Sequence, residues 1–282
     1  MSKNSNIKYY ILYGCDTSVQ AYVSDYMSED DECLRSDTII LAIVNTKTNK
    51  VNLISLLRDI TVNLKDRGKC KLNSLIVYYG PKKTTKIIGN LFGINLSKYI
   101  VMNMKNLVKI VDEIGGIDME LTDDEVEFIN RRLFEVEFIA NYHGNLNLID
   151  KSGTNHLDGV QTLTHVRDRD YGYGWGRTKR QRDVLIAMVK QIKTIISPDK
   201  LFNFGLSMIK YVKTNLNIFD IILCAKITKK INFDDVKTYS IPSRKTKTIK
   251  DDGMFRFEID FNKTNEFITK ITNDEDVTDF VV

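Results

Sequence analysis

Several features that define common classes of protein are scarce or missing in this sequence. It has four cysteines but no C-x-x-C pair, which argues against a zinc site. In a chain of 282 residues four cysteines need not form a framework, so free thiols are the preferred interpretation. Apolar runs are short: residues 39–44 (IILAIV) suit a buried strand and are far too few to span a membrane. The opening residues, MSKNSN, contain no signal-peptide hydrophobic region.

Familiar catalytic and nucleotide-binding signatures are also missing. No P-loop and no G-x-G-x-x-G segment follows a predicted strand, and no Ser-His-Asp pattern is recognisable. The three histidines, His143, His156 and His165, lack metal-ligand spacing. A net charge of +4 is small for a protein that binds nucleic acid through counterion release. The chemistry is therefore expected to be electrostatic and metal-assisted, without a covalent enzyme intermediate.

Strand-like and helix-like patterns alternate along the whole chain. The run 39–44 predicts a central strand covered on both faces. Asn103 is a predicted helix cap, and Thr122 with Glu125 forms a predicted capping box. This mixture predicts an α/β fold, a three-layer α/β/α sandwich with one central mixed sheet.

No shift in composition marks a domain boundary. We therefore expect a single domain over residues 7–282, preceded by a disordered stub at residues 1–6. The predicted strands are 7–13, 38–45, 50–56, 117–121, 165–170, 236–241 and 254–260. The predicted helices begin at Pro81, after Asn103 and after Thr122, and then cover 157–164, 178–196, 199–213, 218–230 and 263–271.

The segment 166–182 (VRDRDYGYGWGRTKRQR) carries the densest positive charge in the chain. Within a strand at 165–170, Arg167 and Arg169 would project to one face. Within a helix from about residue 178, Arg177 and Gln181 would also share a face. Arginines gathered at a helix start favour a bound anion, and their planar groups match phosphate oxygens in pairs. The alternative is a solvated basic face paired with Asp168 and Asp170.

An aromatic, glycine-rich stretch, residues 171–176 (YGYGWG), lies inside this segment and holds the only tryptophan. The sequence predicts a flexible loop, either a lid over a ligand or an ordinary turn with a packed Trp175.

Acidic and basic residues recur together where predicted strands begin or end. Asp16 follows the first strand, Arg35 and Asp37 flank the start of the second, and Arg58 and Asp59 follow the third. Carboxylates can hold a hard cation such as Mg²⁺ that shares phosphate oxygens, while arginines neutralise the remaining charge. The recurrence favours a metal and phosphate site, and structural salt bridges remain the alternative.

Taken in order, these segments resemble the LytR–CpsA–Psr family of cell-wall glycopolymer ligases. No single motif is specific, but the ordered set runs from about residue 11 to at least 183. The motifs are LYGCD (12–16), RSDTIILAIVN (35–45), SLLRDITV (55–62), KLNSLIVYYGP (71–81), VDEIGGIDMEL (111–121), LDGVQTLTHVRDR (157–169) and GRTKRQRDVL (176–185).

The resemblance implies an activity as well as an α/β/α sandwich. It implies a Mg²⁺-dependent phosphotransferase that binds a polyprenyl diphosphate-linked glycan, with the lipid tail in an apolar tunnel. The glycan phosphate would pass to peptidoglycan and form a phosphodiester, as in teichoic acid or capsule attachment, with diphosphate hydrolysis as a side reaction. The tunnel wall would be drawn from residues for which ordinary core packing is the alternative: Leu75, Ile76, Tyr78, Phe134, Phe138, Met188 and Ile192.

The resemblance also implies roles for individual residues. Asp16 and Asp37 would hold Mg²⁺. The implied catalytic groups are Asp37, Arg58 and Asp59, of which Asp59 would either support the arginines or deprotonate the acceptor hydroxyl. The residues facing the diphosphate would be Arg35, Arg58, Arg167, Arg169, Arg177 and Gln181.

Two departures from the family pattern affect these expectations. Members often carry an acidic residue three positions before Arg177, where this chain has Gly174, so either Asp170 substitutes or the loop binds differently. Members usually also have an N-terminal transmembrane anchor; without one, we expect a truncated soluble piece from the extracellular face of a bacterial membrane. The alternative functions are a non-catalytic polyprenyl diphosphate-binding module or regulator and, less favoured by the charge, a nucleic-acid-binding regulator.

Overall fold

The computed structural model describes residues 6–15, 35–140, 144, 146–168, 170–197, 199–244, 246, 248–251, 254–278 and 280. Its centre is a mixed six-stranded sheet with the order β10-β3-β2-β1-β6-β9. Neighbouring strands are antiparallel for β1–β2, β2–β3 and β6–β9 and parallel for β1–β6 and β3–β10. The strands are β1 (Ile7–Cys15), β2 (Ser36–Asn45), β3 (Val51–Leu56), β4 (Thr61–Leu64), β5 (Gly68–Lys71), β6 (Lys98–Asn103), β7 (Ile117–Leu121), β8 (Gly153–Leu157), β9 (Lys213–Thr214), β10 (Lys237–Ile241), β11 (Thr248–Asp251) and β12 (Met254–Phe257).

The helices begin largely where the sequence provides caps. The Asn103 side chain accepts from the Asn106 amide, and Thr122 and Glu125 exchange capping hydrogen bonds. Gly80 has a φ of 68°, so Pro81 opens a new helical segment within the first helix. The helices are α1 (Leu75–Leu91), α2 (Met104–Glu113), α3 (Asp123–Ala140), α4 (Gly159–Arg167), α5 (Tyr173–Ile195), α6 (Leu201–Met208), α7 (Ile218–Lys230) and α8 (Phe261–Thr272).

Helices cover both faces of the sheet, which confirms the predicted sandwich. On one face, Ile11, Tyr13 and Leu41 are fully buried against a layer that includes Ile88 of α1 and Ile268 of α8. The opposite face of the same strands lies beneath α5 and α7. A second core joins α2, α3, α4 and α5 to the β7–β8 hairpin. The central sheet is thus the floor on which the site is built.

Three local predictions are wrong. Residues 165–167 are helical, because the capping box of Asp158 and Gln161 starts α4 and the buried Val160 and Leu163 continue it. The helix predicted from residue 178 begins at Tyr173, so most of the expected aromatic loop is helix. Cys15 is disulfide-bonded, whereas Cys70 and Cys224 are free. The expectation of free thiols failed for Cys15 because pairing depends on the distance between two cysteines in the fold, which the sequence does not give.

Candidate functional site: an arginine-lined cleft beside an apolar cavity

The charged residues of the candidate site gather at one end of the central sheet. The end of β1 pairs with the start of β2, as the partners Cys15 and Ser36 show. Because β3 is antiparallel to β2, its end reaches the same side, and Arg58 follows two residues later. The antiparallel order therefore explains why acid–base pairs distant in sequence come together.

Asp37 is the centre of this cluster. The Arg58 Nη1 atom donates to the Asp37 carboxylate at 2.7 Å, and the Arg177 Nη1 atom lies 3.8 Å from the same oxygen. Arg177 also donates to the Asp37 backbone carbonyl at 3.4 Å. Burial acts to lower the pKa of Arg58, but the Asp37 and Asp59 carboxylates beside it raise it, so this arginine stays charged. One carboxylate thus orients two arginines.

Asp59 extends the cluster away from Asp37. One of its oxygens accepts from Arg58 Nε at 3.2 Å and the other from Lys71 Nζ at 2.6 Å. Both carboxylate oxygens are therefore engaged by cations, which suits positioning of Arg58. Arg35 stands immediately before β2 and is exposed at the rim.

Arg167 reaches the cleft from the last residue of α4. Its Nη1 atom lies 2.8 Å from the sulfur of Met104, the first residue of α2, and it shares the cleft lining with Asp37 and Arg177. Asp16 and Arg169, which the sequence also assigns to the site, lie outside the described residues.

The connection between α4 and α5 is fixed by a buried arginine that the sequence analysis left without a role. Arg180 donates to the backbone carbonyls of Asp168 and Tyr171 at 2.8 and 2.9 Å and lies 3.1 Å from the Asp168 carboxylate. Asp168 in turn accepts from the amides of Asp170 and Tyr171. These contacts fix the end of α4, and with it Arg167, relative to Arg177. The spacing gave no local signal for this role, because Asp168 lies twelve residues before Arg180 and outside the helix that carries it.

Two residues next to this connection, Asp170 and Trp175, make contacts that the sequence left open. The Asp170 carboxylate, which the sequence offers as a substitute for an acidic residue at Gly174, pairs with Arg131 of α3 at 2.9 Å. Trp175 is a packed side chain: its indole donates to the Pro242 carbonyl at 3.1 Å and meets Phe257 edge to face. The packed alternative for the tryptophan is therefore confirmed.

Gln181 completes the cleft one helical turn after Arg177, on the same face of α5 as predicted. Its Oε1 atom is buried and has no hydrogen-bond partner among the residues that the structure describes. Buried polar atoms are normally satisfied, so this oxygen is an exception among the described residues.

An apolar cavity lies next to the charged cleft. The cleft holds about 110 Å³ and is lined on its inner side by Ile40, Leu185 and Met188. A larger cavity of about 250 Å³ lies between the sheet and α7. Leu12, Ile40 and Leu185 line both, so the two spaces are neighbours over a shared wall.

The apolar residues expected in a tunnel wall are mostly elsewhere. Met188 lines the cleft, but Leu75 and Ile76 belong to the core on the other face of the sheet. Tyr78 and Phe134 are exposed, and Ile192 packs in the second core. The side chain of Phe138 lies outside the described residues.

The cleft offers few ligands for a cation. Within the described part of the chain, no group of three or more His, Cys, Asp or Glu side chains could hold a metal. Mg²⁺ needs fewer protein ligands, since it keeps waters and shares substrate phosphate oxygens. Asp37 and Gln181 both line the cleft, and the Asp37 carboxylate fits this mode of binding. No helix within the described ranges is long and apolar enough to cross a membrane.

Comparisons with known proteins identify relatives of this chain. Biofilm regulatory protein A of Streptococcus mutans is 29% identical over 250 residues, covering 84% of this chain and 56% of that protein. The polyisoprenyl-teichoic acid–peptidoglycan teichoic acid transferase TagU of Bacillus mycoides is 29% identical over 185 residues, covering 64% and 55%. The chain therefore spans about half the length of these curated relatives.

A solved structure and a family model extend the comparison. The structure of YwtF (TagT) with bound octaprenyl pyrophosphate lipid superposes with a TM-score of 0.67 at 20% identity, covering 96% of this chain and 90% of that one. At that identity the likeness establishes the fold. The model of the LytR_cpsA_psr family matches residues 3–273, nearly the whole chain. This chain is a member of the LytR–CpsA–Psr family.

Proposed function

We propose that this protein transfers a glycopolymer from a polyprenyl diphosphate carrier to peptidoglycan, forming a phosphodiester. One observation carries the proposal: a cleft lined by arginines lies directly beside an apolar cavity. A charged headgroup joined to a long apolar tail is the kind of ligand that such a pair of neighbouring spaces fits. The names of TagU and of the lipid-bound TagT structure point to the same class of substrate.

The headgroup would be held by Arg58, Arg167 and Arg177. Paired contacts between guanidinium groups and phosphate oxygens are strong and directional, and the low exposure of Arg177, 7%, strengthens them. The pairing of Arg58 and Arg177 with Asp37 arranges both donors before the ligand arrives. Arg35 at the rim and Arg169 are assigned to the same headgroup on the family pattern.

The tail would enter the apolar space over Ile40 and Leu185 and continue towards α7. Removing apolar surface from water contributes about 25 cal/mol per Å², so a tail of several isoprene units adds substantially to affinity. The sheet face formed by Leu12, Ile40 and Leu53 would be the tunnel floor.

In the transfer step, the acceptor hydroxyl oxygen attacks the phosphorus that carries the glycan. The bond from that phosphorus to the bridging oxygen breaks, polyprenyl phosphate leaves, and the hydroxyl proton passes to solvent or a nearby base. Arg58, Arg167 and Arg177 would stabilise the charge that develops on the phosphate oxygens. Asp59 would act by positioning Arg58, since Lys71 and Arg58 already engage both of its oxygens. Attack by water in place of the hydroxyl would give the hydrolytic side reaction.

Magnesium belongs to the proposal as a cofactor. Asp37, with Asp16 on the family pattern, would hold it, and it would add positive charge beside the diphosphate, which Gln181 would face. The expected location is the cell envelope, at the extracellular face of the cell membrane, where the lipid carrier and peptidoglycan meet.

The test is an incubation of the protein with a glycan-linked polyprenyl diphosphate, a peptidoglycan fragment and Mg²⁺ or EDTA. We expect a phosphodiester product by mass spectrometry, reduced at least a hundredfold in Arg58→Ala and Arg177→Ala. Lys86→Ala on exposed α1 is the matched control and should keep full activity. Tight lipid binding without product under any metal would instead indicate a non-catalytic binding module, and salt-sensitive DNA binding without lipid binding would indicate a nucleic-acid-binding regulator.

A further inference from the structure

Helix α5 carries a second cationic face that the cleft does not use. Arg177 and Gln181 point to the cleft, whereas Trp175, Lys179 and Arg182 line a separate cavity. With 3.6 residues per turn, positions 175, 179 and 182 fall on roughly the opposite side of the helix from 177 and 181. One helix thus contributes basic side chains to two different spaces.

Arg182 is the unusual member of this second face. It is 5% exposed, and its Nη1 atom donates to the hydroxyls of Ser55 and Ser240 at 2.5 and 3.0 Å. Its Nε atom has no hydrogen-bond partner, and no carboxylate in the described part of the chain forms an ion pair with it. The adjacent Asp183 is 2.7 Å from Lys179 instead.

A buried charge without a partner is costly, commonly several kcal/mol, so proteins normally supply an opposite charge. Burial lowers the pKa of Arg182 to about 10, which still leaves the guanidinium charged at neutral pH. Two serine hydroxyls do not neutralise it. The neighbouring Asp183 carboxylate raises the pKa of Arg182 and offsets part of the burial effect, but it forms no ion pair with the guanidinium.

The cavity beside Arg182 has the size and lining of a ligand site. Its volume is about 490 Å³, within the range of small-molecule sites. Lys179, Lys237 and Arg244 line it together with Arg182, against two carboxylates, Glu275 and Asp276. Trp175 and Tyr239 supply aromatic surface in the same space. Excess positive charge next to aromatic rings suits a ligand with an anionic group and a flat, partly apolar body.

We propose that this cavity binds a phosphorylated saccharide, with the phosphate against Arg182 and the sugar ring against Trp175. The site is distinct from the diphosphate cleft and does not depend on the proposed transfer. Asp37 lies on β2 and Ser240 on β10, two strands away, which corresponds to a separation on the order of 10 Å. The ligand could be a free sugar phosphate or a repeat of a phosphodiester-linked glycan, and the probes below separate these sources.

Trp175 is the only tryptophan, so its fluorescence reports on this cavity directly. We would titrate the full chain with glucose 6-phosphate, glucose, inorganic phosphate and an oligomer of hexoses joined by phosphodiesters. We expect a saturable change in Trp175 fluorescence with glucose 6-phosphate. The affinity for glucose and for inorganic phosphate should each be at least tenfold weaker. Tighter binding of the oligomer would assign the site to the polymer, and tighter binding of glucose 6-phosphate to a free sugar phosphate.

Variants locate the binding. Arg182→Gln should weaken glucose 6-phosphate at least tenfold, and the exposed pair Lys237→Ala with Arg244→Ala should do so without risk to the core. The charge-matched pair Lys82→Ala with Lys86→Ala on α1 should bind normally, as should protein saturated with farnesyl diphosphate in the cleft. No response to any probe, equal responses to glucose 6-phosphate and glucose, or a response lost only on farnesyl diphosphate addition would each overturn the proposal. Transfer activity is assayed separately, so either result can fail without the other.

Discussion

The buried contact of Arg180 with Asp168 predicts a large and specific loss of stability. Their side chains are 8% and 1% exposed, and Arg180 also donates to two backbone carbonyls. The Arg180→Met change keeps much of the volume but leaves the Asp168 carboxylate buried without its cation. Breaking a buried pair from one side costs about 3–5 kcal/mol, a large part of the 5–15 kcal/mol typical of a folded domain.

The assay is urea unfolding followed by circular dichroism. Asp168→Asn added to Arg180→Met should recover about 2 kcal/mol, because the neutral amide can still accept from the Asp170 and Tyr171 amides. Lys179→Met, one residue away and exposed, is the control and should change stability by less than about 0.5 kcal/mol.

The pH dependence of the free energy of unfolding is a second test of the contact between Arg180 and Asp168. Burial raises the pKa of Asp168, and Arg180 opposes that effect. Without Arg180 the folded pKa rises further above the unfolded value of about 3.9, so the folded state gains a proton more readily. The deficit of Arg180→Met should therefore be full at pH 7 and shrink as the pH falls towards 4. A loss below about 1 kcal/mol, or one that does not change with pH, would refute the reasoning.

Three further predictions concern other positions. Gly174→Asp should raise the free energy of unfolding by about 1 kcal/mol over wild type in a thermal scan, because a Cβ there meets no atom within 4 Å and an acid suits the first turn of α5. The control Gly174→Ala separates the effect of the charge from that of helix propensity. A lowered melting temperature would contradict the open geometry. Ile40→Phe changes the wall shared by the cleft and the apolar cavity. Measured by calorimetry, it should weaken undecaprenyl diphosphate binding at least tenfold and leave inorganic diphosphate binding within twofold. An equal loss of affinity for both ligands would argue against a lipid tail in that space. Burial lowers the pKa of His165 to about 4 from its unfolded value of about 6.5, so stability should fall by about 2 kcal/mol between pH 7 and 5, and His165→Gln should remove that slope in urea titrations.

Much of the fold could be predicted because its signals are local. Asn103, Thr122 and the apolar run 39–44 act through neighbours in sequence, and each produced the expected cap or strand. The segment containing Arg167 was assigned wrongly for the converse reason: HVRDRD has no clear period, and its conformation follows from burial of α4 against α2 and α3.

The sequence predicted which charged residues gather at the site, but it did not predict the cavities beside them. Asp37, Arg58 and Arg177 could be grouped, since the ends of antiparallel strands meet and residues recur on one helix face. Arg180 and Arg182 belong to the same basic run yet are buried, which depends on partners such as Asp168 and Ser240 that only the tertiary structure brings near. The apolar cavity could not be inferred, because Leu12, Ile40 and Leu185 have the composition of any core and sequence does not record unfilled volume.

Strand β2 also sets where the chain can change its length. Asp37 at the cleft and Ile40 in the cavity wall belong to one strand, and their spacing therefore fixes the distance between the headgroup site and the tail site. An inserted or deleted residue between them would reverse which side each subsequent side chain faces, and would turn Ile40 towards α1 and α8. The turn at residues 46–48 carries no such constraint, since added residues there extend into solvent at small entropic cost. Homologues should therefore vary in length at that turn and keep the three-residue step within β2.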